Sequence, residues 1–382
     1  MAQSFIYLDH AAATPLDATV QAAMEPYFSA AFYNPSATYE PAVTVRQAVA
    51  AARLRVAHWL GARPAEVIFT AGGTEANNIA IHGVLRQFPD GNVVVSGIEH
   101  DSVLKPAHRY DCREVAVGPD GRLNLKDLAT KIDEHTVLVS VMYANNEVGT
   151  IQPLKEVSRF VQERRQQRLA AGNQRPLYVH TDACQATNYL DLHTARLGVD
   201  LLTLNGGKIY GPKQSGALYV KAGVRLQPLI DGGGQEQGLR SGTENVPAII
   251  GFAEALEQAQ TRRHDEINRL AELQKQALKA IETQLPTAVV NGSLQQRLPN
   301  NLHLTLPGYD NERLLLQLEA AGVLAAAGSA CSASNEESSH VLHAMGLDDA
   351  AARASLRLTM GRETTAEMIN QTIATLQKLT TL

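Results

Sequence analysis

Six short apolar runs, each followed by a stretch of helical length, constrain this chain more than any other feature. They are Val67-Ile68-Phe69, Asn92-Val93-Val94-Val95, Thr136-Val137-Leu138-Val139-Ser140-Val141, Leu177-Tyr178-Val179-His180, Asp200-Leu201-Leu202-Thr203 and Ala217-Leu218-Tyr219-Val220. Continuous rather than alternating apolarity belongs to strands covered on both faces. Their alternation with Ala-rich or charged segments implies an α/β fold around a mostly parallel sheet. A helix pattern from about Glu254 to Leu285, then a strand start at Ala288-Val289-Val290, places a domain change near residue 260. The expected division is a large domain over 15–260 and a smaller α+β domain from 1–14 and 261–382. In the latter, Asn301–Leu304 and Ser355–Leu358 read as strands, and roughly 311–321 and 364–380 as helices.

A net charge of −5 implies no general field for nucleic acid. The run Glu163-Arg164-Arg165-Gln166-Gln167-Arg168 reads as the solvated face of a helix, with extra sequence around Arg164–Gln174 lengthening that helix and its turn. Cysteines at 112, 184 and 331 have no metal-ligand spacing and form no disulfide framework, which fits a reducing cytoplasm. The start, Met1-Ala2-Gln3-Ser4-Phe5-Ile6, lacks a basic segment before an apolar core, so no signal peptide is expected. No apolar run reaches the roughly 18–20 residues a membrane span needs.

The polar motifs gather where strand runs end, the place at which open α/β sheets bind ligands. Phe69-Thr70-Ala71-Gly72-Gly73-Thr74 turns through two glycines into a helix whose free N–H groups suit a phosphate; alternatively Thr74 simply caps the helix. Gly97-Ile98-Glu99-His100-Asp101-Ser102 offers a histidine able to stack on a flat ring and pass protons, or a structural one. In Asn145-Asn146-Glu147-Val148-Gly149 an asparagine bonds a ring hydroxyl or shapes a turn. His180-Thr181-Asp182-Ala183-Cys184-Gln185 carries an acid, and the glycine-framed Asn205-Gly206-Gly207-Lys208-Ile209-Tyr210-Gly211-Pro212-Lys213 carries a lysine. Together they suit pyridoxal 5'-phosphate (PLP): Asp182 keeps the pyridine nitrogen protonated and Lys208 holds the cofactor covalently. Gly238-Leu239-Arg240-Ser241-Gly242-Thr243-Glu244-Asn245 is a second candidate phosphate contact or a plain interface loop. Cys331, in Ala327-Gly328-Ser329-Ala330-Cys331-Ser332-Ala333-Ser334, sits among small residues, as a mobile nucleophile would; alternatively it is a structural cysteine, though those sit more often in apolar runs. Cys112 and Cys184 read as structural or incidental.

Taken together the motifs resemble the cysteine desulfurases of the NifS/IscS class, group I, in the class V aminotransferase family of fold-type I (aspartate aminotransferase-like) PLP enzymes. The resemblance runs from Tyr7-Leu8-Asp9-His10-Ala11-Ala12-Ala13-Thr14-Pro15, through Asn34-Pro35-Ser36, to Leu356-Arg357-Leu358-Thr359-Met360-Gly361-Arg362. It implies conversion of L-cysteine to L-alanine, with sulfur passed as a persulfide to Cys331 on a loop at about 325–340. The implied roles are Lys208 as the cofactor-bearing base, His100 on the ring face, Asp182 at the ring nitrogen, and Gln185 and Asn146 near the ring hydroxyl. Gly73, Thr74 and Asn205 fall at the phosphate. Thr243 would reach the phosphate of the other subunit of a homodimer, and Arg357, with Asn34 nearby, would take the substrate carboxylate. An iron–sulfur scaffold or a tRNA-thiolation protein would accept the sulfur; neither a metal, a membrane nor direct nucleic acid is implied.

Two departures stand out. The family usually has Ser-x-His-Lys, where this chain has Asn205, Gly206, Gly207 and Lys208. Gly207 offers only backbone, and a hydrogen bond to a charged group contributes about 1.5–3 kcal/mol, so the phosphate is held more weakly or finds another donor. The end at Leu382 lacks the extension that docks a scaffold protein in housekeeping members, which leaves that partner open. The alternatives are a selenocysteine lyase or other fold-type I PLP enzyme, and a non-catalytic sulfur-relay protein with weakened PLP binding.

Overall fold

The computed structural model describes residues 5–328 and 338–381. Twelve strands form three sheets among these residues: β1 (Ile6–Tyr7), β2 (Val67–Thr70), β3 (Asn92–Ser96), β4 (Cys112–Val115), β5 (Thr136–Ser140), β6 (Tyr178–Asp182), β7 (Leu201–Asn205), β8 (Gly216–Val220), β9 (Val289–Val290), β10 (Asn301–Thr305), β11 (Val323–Leu324) and β12 (Ser355–Thr359). The large sheet has the order β2-β8-β7-β6-β5-β3-β4. Its strands β4, β3, β5, β6 and β7 are parallel. Only β8 runs against its neighbours β7 and β2, so β2 ends at the same edge as the parallel strands.

Burial explains the continuous apolarity. Val94, Val139 and Leu202 pack into one apolar cluster, with Val56 and Leu60 of the helix Glu40–Leu60, Val157 of Leu154–Ala170 and Phe252 of Val246–Thr261. Their chain neighbours Val93, Leu138 and Leu201 point the other way, into a cluster with Ile79 and Val84 of the helix Gly73–Gln87. Side chains alternate across a strand, so a sheet covered by helices on both faces needs apolar residues at every position. The unpredicted strand β4 is the exception that follows from this rule. It lies at the sheet edge, and Cys112, Arg113 and Glu114 remain at least partly exposed, so it carries no apolar run.

The helix read as continuous from Glu254 to Leu285 breaks at Arg262, into Val246–Thr261 and Arg263–Gln284. The break serves two cores. Ala253, Leu256 and Ala259 pack on the large sheet, whereas Leu270, Leu273, Ala277 and Ile281 pack beside the antiparallel sheet β12-β10-β9. The second cluster also receives Ile6 and Leu8, because β1 pairs with β11 and Asp9 bridges to Thr359. The N-terminal segment thereby passes over the carboxyl edge of the large sheet. The Arg-rich run is not wholly solvated: Arg165 pairs with the buried Asp200, and buried Arg168 donates to the carbonyls of Thr136 and Asp133.

Candidate active site

Five chain turns converge at the carboxyl edge of the large sheet. They bring Gly73, Thr74, His100, Asn146, Asp182, Gln185, Asn205 and Lys208 around one cavity, to which β12 of the antiparallel sheet adds Arg357. β6 ends on Asp182 and β7 on Asn205, and a single helical turn, Gly206–Lys208, then carries the lysine inward.

One half of the cavity is a closed side-chain network. Asp182 accepts from Asn77 Nδ2 at 2.7 Å and from the Cys184 backbone N–H at 2.9 Å. Asn77 Nδ2 also donates to Ser102 Oγ at 2.9 Å, and that hydroxyl lies 2.8 Å from His100 Nδ1. The Ser102 backbone N–H donates to the same ring nitrogen. Nδ1 is thus an acceptor, and the neutral ring carries its proton on Nε2. Burial lowers the His100 pKa, opposed by Asp182 and assisted by Lys208, so the imidazole is neutral near pH 7. His180, two residues before Asp182 on β6, is fully buried between Ser140 and Thr203, and burial pushes its pKa down to about 4. Cys184 lines the cavity beside Asp182 rather than standing apart from it, and burial drives its thiol pKa well up.

The N-terminal segment supplies a row of carbonyls. Lys208 Nζ donates to Ala11 O at 2.8 Å and Ala12 O at 2.6 Å, and Gln185 Nε2 donates to Ala11 O at 3.0 Å. Burial is the main cause of a lowered Lys208 pKa, and a lower amine pKa favours the neutral nucleophile. Arg357, 1% exposed, pairs with Asp9 at 2.7 Å and donates to Asn146 O at 3.1 Å, while its buried Nε has no partner.

The other half is mostly backbone. Gly72 caps the helix Gly73–Gln87 at φ 125°, a conformation that favours glycine, and the helix has no side-chain cap. Thr74 therefore does not cap it. A Cβ at Gly73 would lie 2.7 Å from Cys184 Sγ. Asn205 Oδ1 accepts from the Gly207 N–H at 3.0 Å. Lys213 reaches across Gly207 to the Thr14 carbonyl.

Asn34 and Thr243 do not line this cavity in the single chain; both are exposed, and Asn34 Oδ1 accepts from the Ser36 N–H at 2.9 Å. Cys331 lies outside the described residues. Just after that stretch, Ser339 Oγ donates to the buried Glu147 carboxylate at 2.5 Å, and His340 Nε2 lies 2.9 Å from Glu99 O. Asn145, the other asparagine of its motif, is buried and shapes the turn by accepting from the Glu147 and Val148 N–H groups. Sequence reasoning gave no role to Asn77, Ser102, Asp9 or the carbonyls of Ala11 and Ala12. Asn77 alone had a signal, a polar side chain amid the apolar face of Ala76, Ile79 and Ala80.

These residues fit PLP. A buried carboxylate lies at one end, an amine at the centre, and a helix N-terminus without a side-chain cap, in a glycine cradle, at the other end, where a Cβ at Gly73 would collide with Cys184. Among the described residues, no group of three or more His, Cys, Asp or Glu is arranged to hold a metal. No described helix is long and apolar enough to cross a membrane.

The aminotransferase class-V family matches residues 6–371. The chain belongs to that family. Its cofactor is PLP. This class-V chain is 39% identical to the cysteine desulfurase IscS of Dictyoglomus turgidum, over 98% of this chain and 94% of the relative. It is 38% identical to cysteine desulfurase IscS 1 of Archaeoglobus fulgidus, over 97% and 95%. Among solved structures, a NifS-like protein superposes with a TM-score of 0.90 at 30% identity, covering 99% of both chains. The NifS-like protein of Rickettsia africae superposes with a TM-score of 0.87 at 26% identity, covering 99% of this chain and 100% of that one. These likenesses bear out the α/β, fold-type I expectation, with the antiparallel β8 as the departure from a wholly parallel sheet.

Proposed function

We propose that this enzyme is a cysteine desulfurase, converting L-cysteine to L-alanine and passing the sulfur through Cys331 to an acceptor. The observation that carries the reading is the shared cavity of Asp182, His100, Lys208 and Arg357, in a chain matched end to end by cysteine desulfurases. Bound there, PLP supplies an electron sink for bonds at the substrate's α and β carbons. Asp182 would face the ring nitrogen, His100 would cover a ring face, and Gln185 and Asn146 would lie near the ring hydroxyl. Gly73, Thr74 and Asn205 would hold the phosphate. Arg357, fixed by Asp9 and the Asn146 carbonyl, presents its free Nε to the substrate carboxylate.

Lys208, its pKa lowered mainly by burial, would take the α-proton of cysteine and return a proton to the same carbon once the sulfur has left. His100 relays protons through Nε2–H, its Nδ1 being engaged by Ser102. The Cys331 thiolate attacks the substrate sulfur, the carbon–sulfur electron pair stays on the substrate carbon, and that carbon gains a proton to give alanine.

The division into domains over 15–260 and over 1–14 with 261–382 belongs to this reading; two separate apolar clusters support it. So does a homodimer in which Thr243 reaches the partner's phosphate and Asn34 approaches the substrate. Exposed Phe28 and Phe32 support a covered face beside Asn34. The acceptor is an iron–sulfur scaffold or a tRNA-thiolation protein, and the setting is cytoplasmic.

The test is alanine release from L-cysteine by PLP-saturated protein with a reducing thiol, wild type beside Cys331→Ala. Release that falls at least about 100-fold in the variant, within the range of lost nucleophilic groups, is expected. Equal release and equal sulfur transfer by both would remove Cys331 from its role.

A further inference from the structure

We propose that Lys213 is the cation that holds the cofactor's phosphate, occupying the space left open by Gly207. The proposal rests on the PLP assignment and not on the desulfurase reading.

A PLP phosphate carries close to two negative charges and needs donors that can match them. The cradle itself supplies neutral groups: backbone N–H groups at the start of the helix Gly73–Gln87, the Thr74 side chain, and the Asn205 amide. Asn205 Oδ1 is taken by the Gly207 N–H, and its Nδ2 lies 3.5 Å from where a Gly73 Cβ would stand, so the amide donor faces the cradle.

Three charged side chains line this end of the cavity: Glu75, Lys208 and Lys213. Glu75 is already engaged, accepting from the Ala71 N–H at 2.8 Å and from Arg240 Nε at 2.9 Å. Lys208 is committed to the ring. Lys213 has no carboxylate partner among the described residues; its amine donates to the carbonyl of Thr14. It is held on the same N-terminal row of carbonyls as Lys208, a neutral acceptor that an anion can outcompete.

Gly207 is what brings Lys213 there. A Cβ at position 207 would lie 3.2 Å from Lys213 Cδ and 4.0 Å from its Cα. The lysine stem therefore lies directly on the glycine, and any side chain at 207 crowds it. The two positions act as a pair: removing the side chain at 207 clears the path by which the lysine at 213 reaches the cradle. Gln214, the next residue, holds a left-handed φ of 57° and also lines this end of the cavity, which fixes the direction of the Lys213 backbone.

The experiment titrates full-length protein, freed of cofactor, with PLP and separately with pyridoxal, which lacks the phosphate. Binding is read by absorbance and by quenching of protein fluorescence. Lys213→Met is expected to weaken PLP by about 10- to 100-fold, the factor that a lost hydrogen bond to a charged group carries. Pyridoxal binding is expected to stay as in wild type. Lys213→Arg restores most of the loss, and Gly207→Ala gives a smaller loss of the same kind. Equal PLP affinity in Lys213→Met and wild type, at an unchanged thermal midpoint, would overturn the proposal. So would parallel weakening of both ligands. Wild-type protein that binds neither compound would instead remove the cofactor assignment, which separates that failure from this one.

Discussion

The two ends of the cavity are built by different means. At the ring end, side chains hold one another: Asp182 to Asn77, Asn77 to Ser102, Ser102 to His100, all buried or nearly so. At the phosphate end, glycines and backbone groups form the cradle, and the charged groups rest on carbonyls of a different segment, Lys208 on Ala11 and Ala12 and Lys213 on Thr14. The contrast shows where each end tolerates change. A closed side-chain network depends on the identity of each member, because leaving one buried partner unmatched costs about 1–3 kcal/mol. A backbone cradle depends on space, and its charges can come from more than one position.

The largest expected effect is at the ring end. Asp182→Asn keeps an acceptor for the Cys184 N–H. Its new amide can donate to Asn77 Oδ1, which has no partner, if the Asn77 amide turns over. The fold should therefore survive, while loss of the charge facing the ring lowers kcat by about 10²–10³-fold, as for other preorganised groups. Steady-state rates alongside a thermal melt check this. A drop below tenfold with full cofactor loading would show that the acid is not the partner of the ring.

The next effect in size concerns pH. Burial lowers the folded pKa of His180 to about 4, against roughly 6.5 when unfolded. Between these values the unfolded chain binds more protons, so stability rises with pH there. It is fully present above about 6.5 and is lost as pH falls toward 4. At about 1.4 kcal/mol per pH unit, this residue alone removes about 2 kcal/mol between pH 6.5 and 5. The buried Glu99 works in the opposite sense, its pKa being raised by burial, but it is common to wild type and variant. Guanidinium unfolding of wild type and His180→Asn at pH 7 and pH 5 should give a shallower pH slope for the variant. Parallel slopes would mean that the ring end is not where acid acts.

How far each end was legible in sequence follows from the same contrast. Asp182, His100 and Lys208 stood out because charged or titratable residues directly after apolar runs are conspicuous, and the structure brings them together. Ser102, inside a quoted motif, and Asn77, three residues beyond another, orient His100 but had no role in the sequence, since their partners come from different strands' turns. Asp9, which holds Arg357, is 348 residues away in sequence, a pairing that no local pattern carries. The phosphate end was legible as glycine spacing, but not as a set of contacts: what fills the place over Gly207 is decided by the path of residues 209–213. In the fold, strands buried on both faces declared themselves, whereas the edge strand β4, with polar residues toward solvent, did not. Periodicity also ran on through Arg262, because a change of core partner leaves the helical pattern intact on both sides of a break.

The most direct test of the account is to locate the cofactor between the two lysines. Purified protein carrying PLP would be reduced with borohydride, digested, and its modified peptide sequenced by mass spectrometry. The account predicts the cofactor mass on Lys208 alone, with Lys213 unmodified. Modification at Lys213, or of protein in which Lys208→Ala has removed the expected site, would contradict the division of roles between them.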